Sequence, residues 1–183
     1  MARFTPDDEL ELLFDLKVIP HDIKQLLPEH LHMRPLASTD YTRNHLSVLS
    51  VLTQTPDPGP AAYLSRFQVL LSIPNTYYTI VIIDKRMDII VAVGCVFMEH
   101  KFIRDLGIVG HIEDIAVDKK VQGAKLGLRI IQALTAISES RGAYKTILDC
   151  STENIPFYVK CGYEVKGNEM AKYVAATPDA PKL

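Results

Sequence analysis

The chain has 183 residues, 48% of them hydrophobic, with 20 basic and 22 acidic side chains for a net charge of −2. Such a length supports one domain with a sizeable core, and the composition excludes a disordered chain. The near-balanced charge removes the electrostatic case for nucleic acid or an anionic membrane as main partner, and no apolar run reaches the roughly eighteen residues that a bilayer-spanning helix needs.

Residues 1–32 carry Leu10, Leu12, Leu13, Phe14, Leu16, Val18 and Ile19, then Ile23, Leu26 and Leu27, broken by Pro20 and closed by Pro28. Left uncovered, these side chains would form a large apolar patch. They are therefore expected to pack as short helical pieces covering the domain that follows, residues 33–174, or a dimer partner, rather than to form a loosely ordered tail; a C-terminal tail spans 175–183. The acidic, proline-containing start is not that of a signal peptide. Residues 32–36 read as a first strand. Thr39 or Asp40 is suited to cap a helix whose inner face holds Tyr41, His45, Val48, Leu49 and Leu52, with Thr53 at its end. Prolines at 56, 58 and 60 make the next stretch a loop, and residues 61–72 form a second helix with Tyr63, Leu64, Phe67, Leu70 and Leu71 inward.

Two runs rich in β-branched and aromatic residues, 77–83 and 89–99, form a hairpin, with Gly94 marking a bulge or a close approach. A charged connection follows, and residues 112–117 then alternate imperfectly, as a largely buried strand does. From Leu126 the apolar residues Leu126, Ile130, Ile131, Leu134 and Ile137 recur at helical spacing. Between strand and helix, Gly123 and Gly127 let backbone N–H groups approach an anion beside the positive end of the helix dipole. Leu128 and Arg129 after Gly127 exclude the nucleotide P-loop, and the absence of Gly-x-Gly-x-x-Gly excludes the dinucleotide fingerprint. Residues 144–150 form a buried strand; Thr152 or Glu153 opens a short helix bearing Asn154, Phe157, Tyr158 and Cys161; and 163–165 with 169–174 make a final hairpin. Cys95, Cys150 and Cys161 are odd in number and lie in or beside apolar segments, which fits reduced thiols in an intracellular protein and offers no zinc site.

Gln122, then two residues, Lys125, one residue and Gly127 together resemble the pyrophosphate loop of the GNAT superfamily of acetyl-CoA-dependent N-acetyltransferases, with Lys125 where that loop's usual middle glycine stands. Residues 110–117, 144–150 and 154–163 are similar, in order and spacing, to successive blocks of the eukaryotic glucosamine 6-phosphate N-acetyltransferase branch, and the similarity runs from about residue 33 to about residue 173. The resemblance implies an α/β (α+β) GNAT fold, a strongly twisted mixed central sheet flanked by helices, with acetyl-CoA in a split between central strands. It further implies acetyl-CoA as co-substrate without any metal, glucosamine 6-phosphate as acceptor, a cytoplasmic location, a step toward UDP-N-acetylglucosamine, and a homodimer sharing its C-terminal strand.

Residue by residue, the resemblance gives the backbone of Ile115, Ala116 and Val117 the acetyl arm and the polarisation of the thioester carbonyl. Gln122, Gly123, Ala124, Lys125, Leu126, Gly127 and Leu128 receive the pyrophosphate, and Asn154 the pantetheine arm. Tyr158 is the candidate to stabilise or protonate the departing thiolate; Asp149, ranked ahead of Glu113, is the candidate amine partner. The sugar-phosphate end takes in Lys101, Phe102, Ile103, Arg104, Thr53, Tyr144, Lys145 and Tyr173, the last three from the same or the other subunit. Arginine suits it by bidentate bonds to phosphate, lysine as a point charge. Glu113 and Asp114, adjacent on a strand, are expected to point to opposite faces, one of them toward sugar hydroxyls or the ammonium. Ile115, Val117 and Phe157-Tyr158 would equally suit a plain core. Two other functions use the same chain: an N-acetyltransferase for a protein amine or polyamine, against which Lys101 and Arg104 stand, and a non-catalytic acyl-CoA-binding module, against which Asn154, Tyr158 and Asp149 stand.

Overall fold

The computed structural model describes residues 3–121 and 124–173. Its strands are β1 (Leu31–Pro35), β2 (Tyr77–Asp84), β3 (Ile89–His100), β4 (Ile108–Val117) and β5 (Ala143–Ile147). Its helices are α1 (His21–Gln25), α2 (His45–Leu49), α3 (Pro60–Leu71), α4 (Ile103–Leu106), α5 (Leu126–Ser140) and α6 (Ile155–Lys160). The five strands form one sheet in sequence order, antiparallel from β1 to β4 and parallel between β4 and β5, so the sheet is mixed as expected.

Helices cover both faces of the sheet, which is why β2 and β3 read as nearly continuous apolar runs. On one face all five periodic residues of α5, from Leu126 to Ile137, are buried against Ile80, Ile82, Val96 and Ile112. On the other, Val48 of α2 and Phe67 of α3 pack on Val81, Ile83, Val93 and Ala116. The first thirty residues join these layers: Leu13, Ile19 and Ile23 are buried, and Leu13 N–H donates to the Leu36 carbonyl at 2.8 Å.

The helix expected to run from residue 39 or 40 to 52 is broken in two, because the Asp40 carboxylate is taken by the Arg34 guanidinium and the Ala37 N–H, while Asn44 turns left-handed at φ 72° between a short 3-10 turn and α2. Only His45 and Val48 of its predicted inner face are fully buried, Leu52 being 47% exposed; on α3, Leu64 likewise faces out. The last strand stops at Ile147 instead of Cys150, and it is mostly exposed, not buried, because its outer edge has no partner among the described residues. Residues 163–173 form no strand, so the final hairpin is absent from the described residues, with Val174 outside them.

Candidate active site

The site begins at an irregularity in β4. Register passes from Val93↔Ala116 to Cys95↔Glu113, so Asp114 and Ile115 together oppose the single residue Gly94, a β-bulge with Asp114 held left-handed at φ 56°. Space for it exists only because Gly94 lacks a side chain: a Cβ there would sit 2.5 Å from Ile115 Cδ1 and 2.5 Å from Ile130 Cγ2. The bulge overrides the expected alternation, so Glu113 and Asp114 are both exposed rather than one on each face.

Above the bulge the sheet opens. Pairing of β4 with β5 ends at His111↔Ile147, leaving residues 112–117 without a strand partner on that side among the described residues. Ala116 is buried, and Ile115 and Val117 are half-buried. The chain then passes through a turn at Lys119–Val121; Gln122 and Gly123 lie outside the described residues. Lys125 stands left-handed at φ 59° and ψ 19° immediately before α5, and among the described residues no side chain caps the helix, which leaves its first-turn N–H groups available to an anion. The lysine thus adopts the backbone shape that a glycine would take freely, at a cost of about 1 kcal/mol. Leu126 is buried in the core and can contribute only its backbone, whereas Gly127 faces Phe157 Cζ and Val117 Cγ2, 3.5 and 3.8 Å from where its Cβ would be. The open edge of β4, the start of α5 and α6 therefore meet at one place.

The other wall comes from α6 and the segment after β5. A cleft of about 780 Å³ is lined by Lys145, Asp149, Cys150, Tyr158 and Tyr163 among others. Tyr158 is half-buried, edge-on to Phe157 at 5.0 Å, and burial raises its hydroxyl pKa above the usual tyrosine value, with Cys150 and Cys161 adding to the effect. Burial, then the charges of Asp114 and Asp149, push the Glu113 carboxyl above its ordinary range. These carboxylates, from the β4 bulge and from beyond β5, therefore act on one another. Asn154 is exposed where α6 begins.

At the lower end, Arg104 and Lys145 both lie over the Tyr144 ring, at 5.9 and 5.8 Å from its centre. Lys101 Nζ pairs with Glu99 Oε1 at 2.5 Å. Phe102 and Ile103 project into solvent, and Arg104, Asp105 and Leu106 are all left-handed. Tyr173 is 91% exposed in the C-terminal segment, and no side-chain hydrogen bond among the described residues ties it or Thr53 to the rest of the set. Glu99 and His111 escaped the sequence reading, although the opposite charges of Glu99 and Lys101, two residues apart, were the available signal.

Residues 45–163 match the Acetyltransferase (GNAT) family. The chain is 38% identical to glucosamine 6-phosphate N-acetyltransferase 1 of Dictyostelium discoideum over 161 residues, 88% of this chain and 100% of that protein. It is 41% identical to glucosamine 6-phosphate N-acetyltransferase of Candida albicans over 79% of this chain and 97% of that one. It superposes on the crystal structure of glucosamine-6-phosphate N-acetyltransferase from Arabidopsis thaliana with a TM-score of 0.78 at 36% identity, covering 80% of this chain and 100% of the other. With a family match across most of its length and relatives that align over nearly all of theirs, the chain belongs to the acetyltransferase (GNAT) family.

Proposed function

We propose that the chain transfers the acetyl group of acetyl-CoA to the amine of D-glucosamine 6-phosphate, giving N-acetyl-D-glucosamine 6-phosphate and CoA, by direct attack within a ternary complex. The observation that carries this reading is the 38% identity over the whole length of the Dictyostelium relative of that name. The geometry suits it: uncapped helix amides for a pyrophosphate, carboxylates for an amine, and Arg104 and Lys145 around Tyr144 for a phosphate.

The first-turn N–H groups of α5 would hold the pyrophosphate, and the unpartnered backbone from Ile115 to Val117 the pantetheine arm, its N–H groups polarising the thioester carbonyl. Acetyl-CoA supplies an activated acyl group. Asp149 and Glu113 would orient the acceptor nitrogen and take up its ammonium proton; burial, which raises the Glu113 pKa, favours its holding that proton. As the nitrogen–carbon bond forms and the carbon–sulfur bond breaks, the nitrogen would release its second proton to solvent, while Tyr158 would give its proton to sulfur and regain one from solvent. Its raised pKa keeps that proton in place until charge develops. This scheme needs no metal.

The same reading includes a cytoplasmic enzyme working as a homodimer. No helix among the described residues is long and apolar enough to cross a membrane. In support of the dimer, among the described residues the outer edge of β5 is unpaired and residues 163–173 form no strand, with Val165 66%, Met170 95% and Tyr173 91% exposed. An unpaired edge and an unpaired segment in one chain are satisfied together by exchange between two copies. A cationic polyamine or lysine peptide as acceptor would meet Arg104 and Lys145 at the lower end. Mass analysis of products from acetyl-CoA with glucosamine 6-phosphate, glucosamine, spermidine and a lysine peptide tests the assignment: acetylation confined to the two sugars supports it, and preferential acetylation of spermidine or peptide overturns it.

A further inference from the structure

In the β3–β4 register Phe97 stands directly opposite His111, and their rings stack with centroids 4.5 Å apart and planes 13° from parallel. Opposed residues in an antiparallel pair share a face, as do residues two apart on each strand. Glu99 of β3 and Glu113 of β4 therefore flank His111 on that face. His111 Nε2 lies 2.8 Å from Glu99 Oε2, and the other oxygen of the same carboxylate holds Lys101 Nζ at 2.5 Å. One carboxylate thus joins the lysine assigned to the phosphate with an imidazole that the proposed reaction does not use. The Phe97 ring keeps that imidazole from turning away.

The inference rests on the assignment of Lys101 to the substrate phosphate. Without substrate, Lys101 is already neutralised by Glu99. A phosphate dianion seated on Lys101 places further negative charge beside the Glu99 carboxylate, and like charges about 4 Å apart near a surface repel by several kcal/mol. Glu99 can release Lys101 cheaply only if it keeps another cation, and His111 is already bonded to it. We propose that His111 is a specificity-determining residue: as imidazolium it retains Glu99, frees Lys101 for the 6-phosphate, and so couples binding of the phosphorylated acceptor to uptake of a proton from solvent.

The face around His111 is rich in carboxylates. By register, Glu99 of β3, Glu113 of β4, and Lys145 and Asp149 from β5 and its continuation share the face of His111, and Lys101 joins them from just past β3; Asp114, Asp149 and Glu169 add negative charge felt at Glu113. Carboxylates outnumber lysines, and the incoming phosphate adds to them. Imidazole is the side chain whose charge ordinarily changes between about pH 5 and 8, which sets the range over which the coupling is tested.

The test measures the KM for glucosamine 6-phosphate from about pH 5.5 to 8.5 in the wild type and in His111→Gln, whose amide still bonds Glu99 but cannot gain charge. Taking the ratio of the two at each pH cancels the ionisations of the substrate itself. The ratio is expected to reach about tenfold at the acid end and to fall within about twofold at the alkaline end, with kcat and the KM for unphosphorylated glucosamine nearly unchanged. His111→Arg, a permanent cation, should keep the low KM at alkaline pH. A ratio that stays constant with pH, or that moves equally for both sugars, overturns the proposal. Lys101→Met separates it from its premise. If that variant loses phosphate discrimination while the His111→Gln ratio stays flat, the coupling alone is wrong; if it discriminates like the wild type, the assignment of Lys101 is wrong.

Discussion

Gly94 lies directly beneath Ile115, on the inner side of the bulge that separates Glu113 from Ala116. Gly94→Ala would force its new methyl group to within 2.5 Å of both Ile115 and Ile130, one on the strand and one on α5. Overpacking of that kind costs about 1–3 kcal/mol, so the variant should unfold at lower urea than the wild type. It should also lose turnover, since relief by flattening the bulge would re-aim Glu113 and Asp114. Chemical denaturation together with steady-state kinetics checks both; a variant that keeps wild-type stability would show that the strand simply moves aside.

Tyr158→Phe removes one hydroxyl and leaves the aromatic packing against Phe157 in place. Turnover should fall by about a hundredfold, in the range for a positioned general acid, while the KM for acetyl-CoA changes little. An unchanged kcat would return this ring to a packing role.

His45 is buried with Nδ1 2.8 Å from the Tyr63 hydroxyl, and burial lowers its pKa from 6.5 to about 4, Asp40 pulling against that shift and Arg34 adding to it. Because the folded value lies below the unfolded one, the unfolded chain binds the extra proton between those limits. The stabilisation is therefore complete above pH 6.5 and lost as pH falls toward 4. The loss is of order 3 kcal/mol. Asp88 and Glu99, whose pKa values are lowered, keep their contributions until below the ordinary carboxylate range, and the raised Glu113 acts in the opposite sense. Urea denaturation of wild type and His45→Gln across this range isolates the histidine: the stability difference should shrink on acidification, and a constant difference would contradict the account.

Much of the fold was legible in the sequence because its elements carry strong periodicity. The α5 stripe and the β2–β3 runs bury as their spacing predicts. What was not legible depends on contacts distant in sequence. Nothing local to Asn44 announces that Asp40 will be drawn to Arg34 and end one helix before another begins. The bulge needs Gly94 and Asp114 at once, twenty positions apart, so the strand rule of alternate faces misplaced Glu113 and Asp114. Lys125 shows the reverse case. Its side chain departs from the glycine of the resembled loop, yet its backbone takes a left-handed shape that glycine adopts freely.

The C-terminal segment gives a prediction about assembly. Truncation after Gly162 removes Val165, Met170 and Tyr173, all exposed in one chain, and should abolish dimerisation and activity together. Light scattering and activity across a dilution series read both at once. A full-length protein that remains monomeric and fully active would exclude a shared site.

The most direct measurement is the specificity constant for glucosamine 6-phosphate against that for glucosamine, followed as CoA release at fixed acetyl-CoA. Charge-assisted bonds are worth about 1.5–3 kcal/mol each, so two cations acting on the phosphate predict a preference of about a hundredfold or more for the phosphorylated sugar. Equal constants for the two sugars would contradict the assignment of Lys101 and Arg104, and with it the substrate proposed for this enzyme.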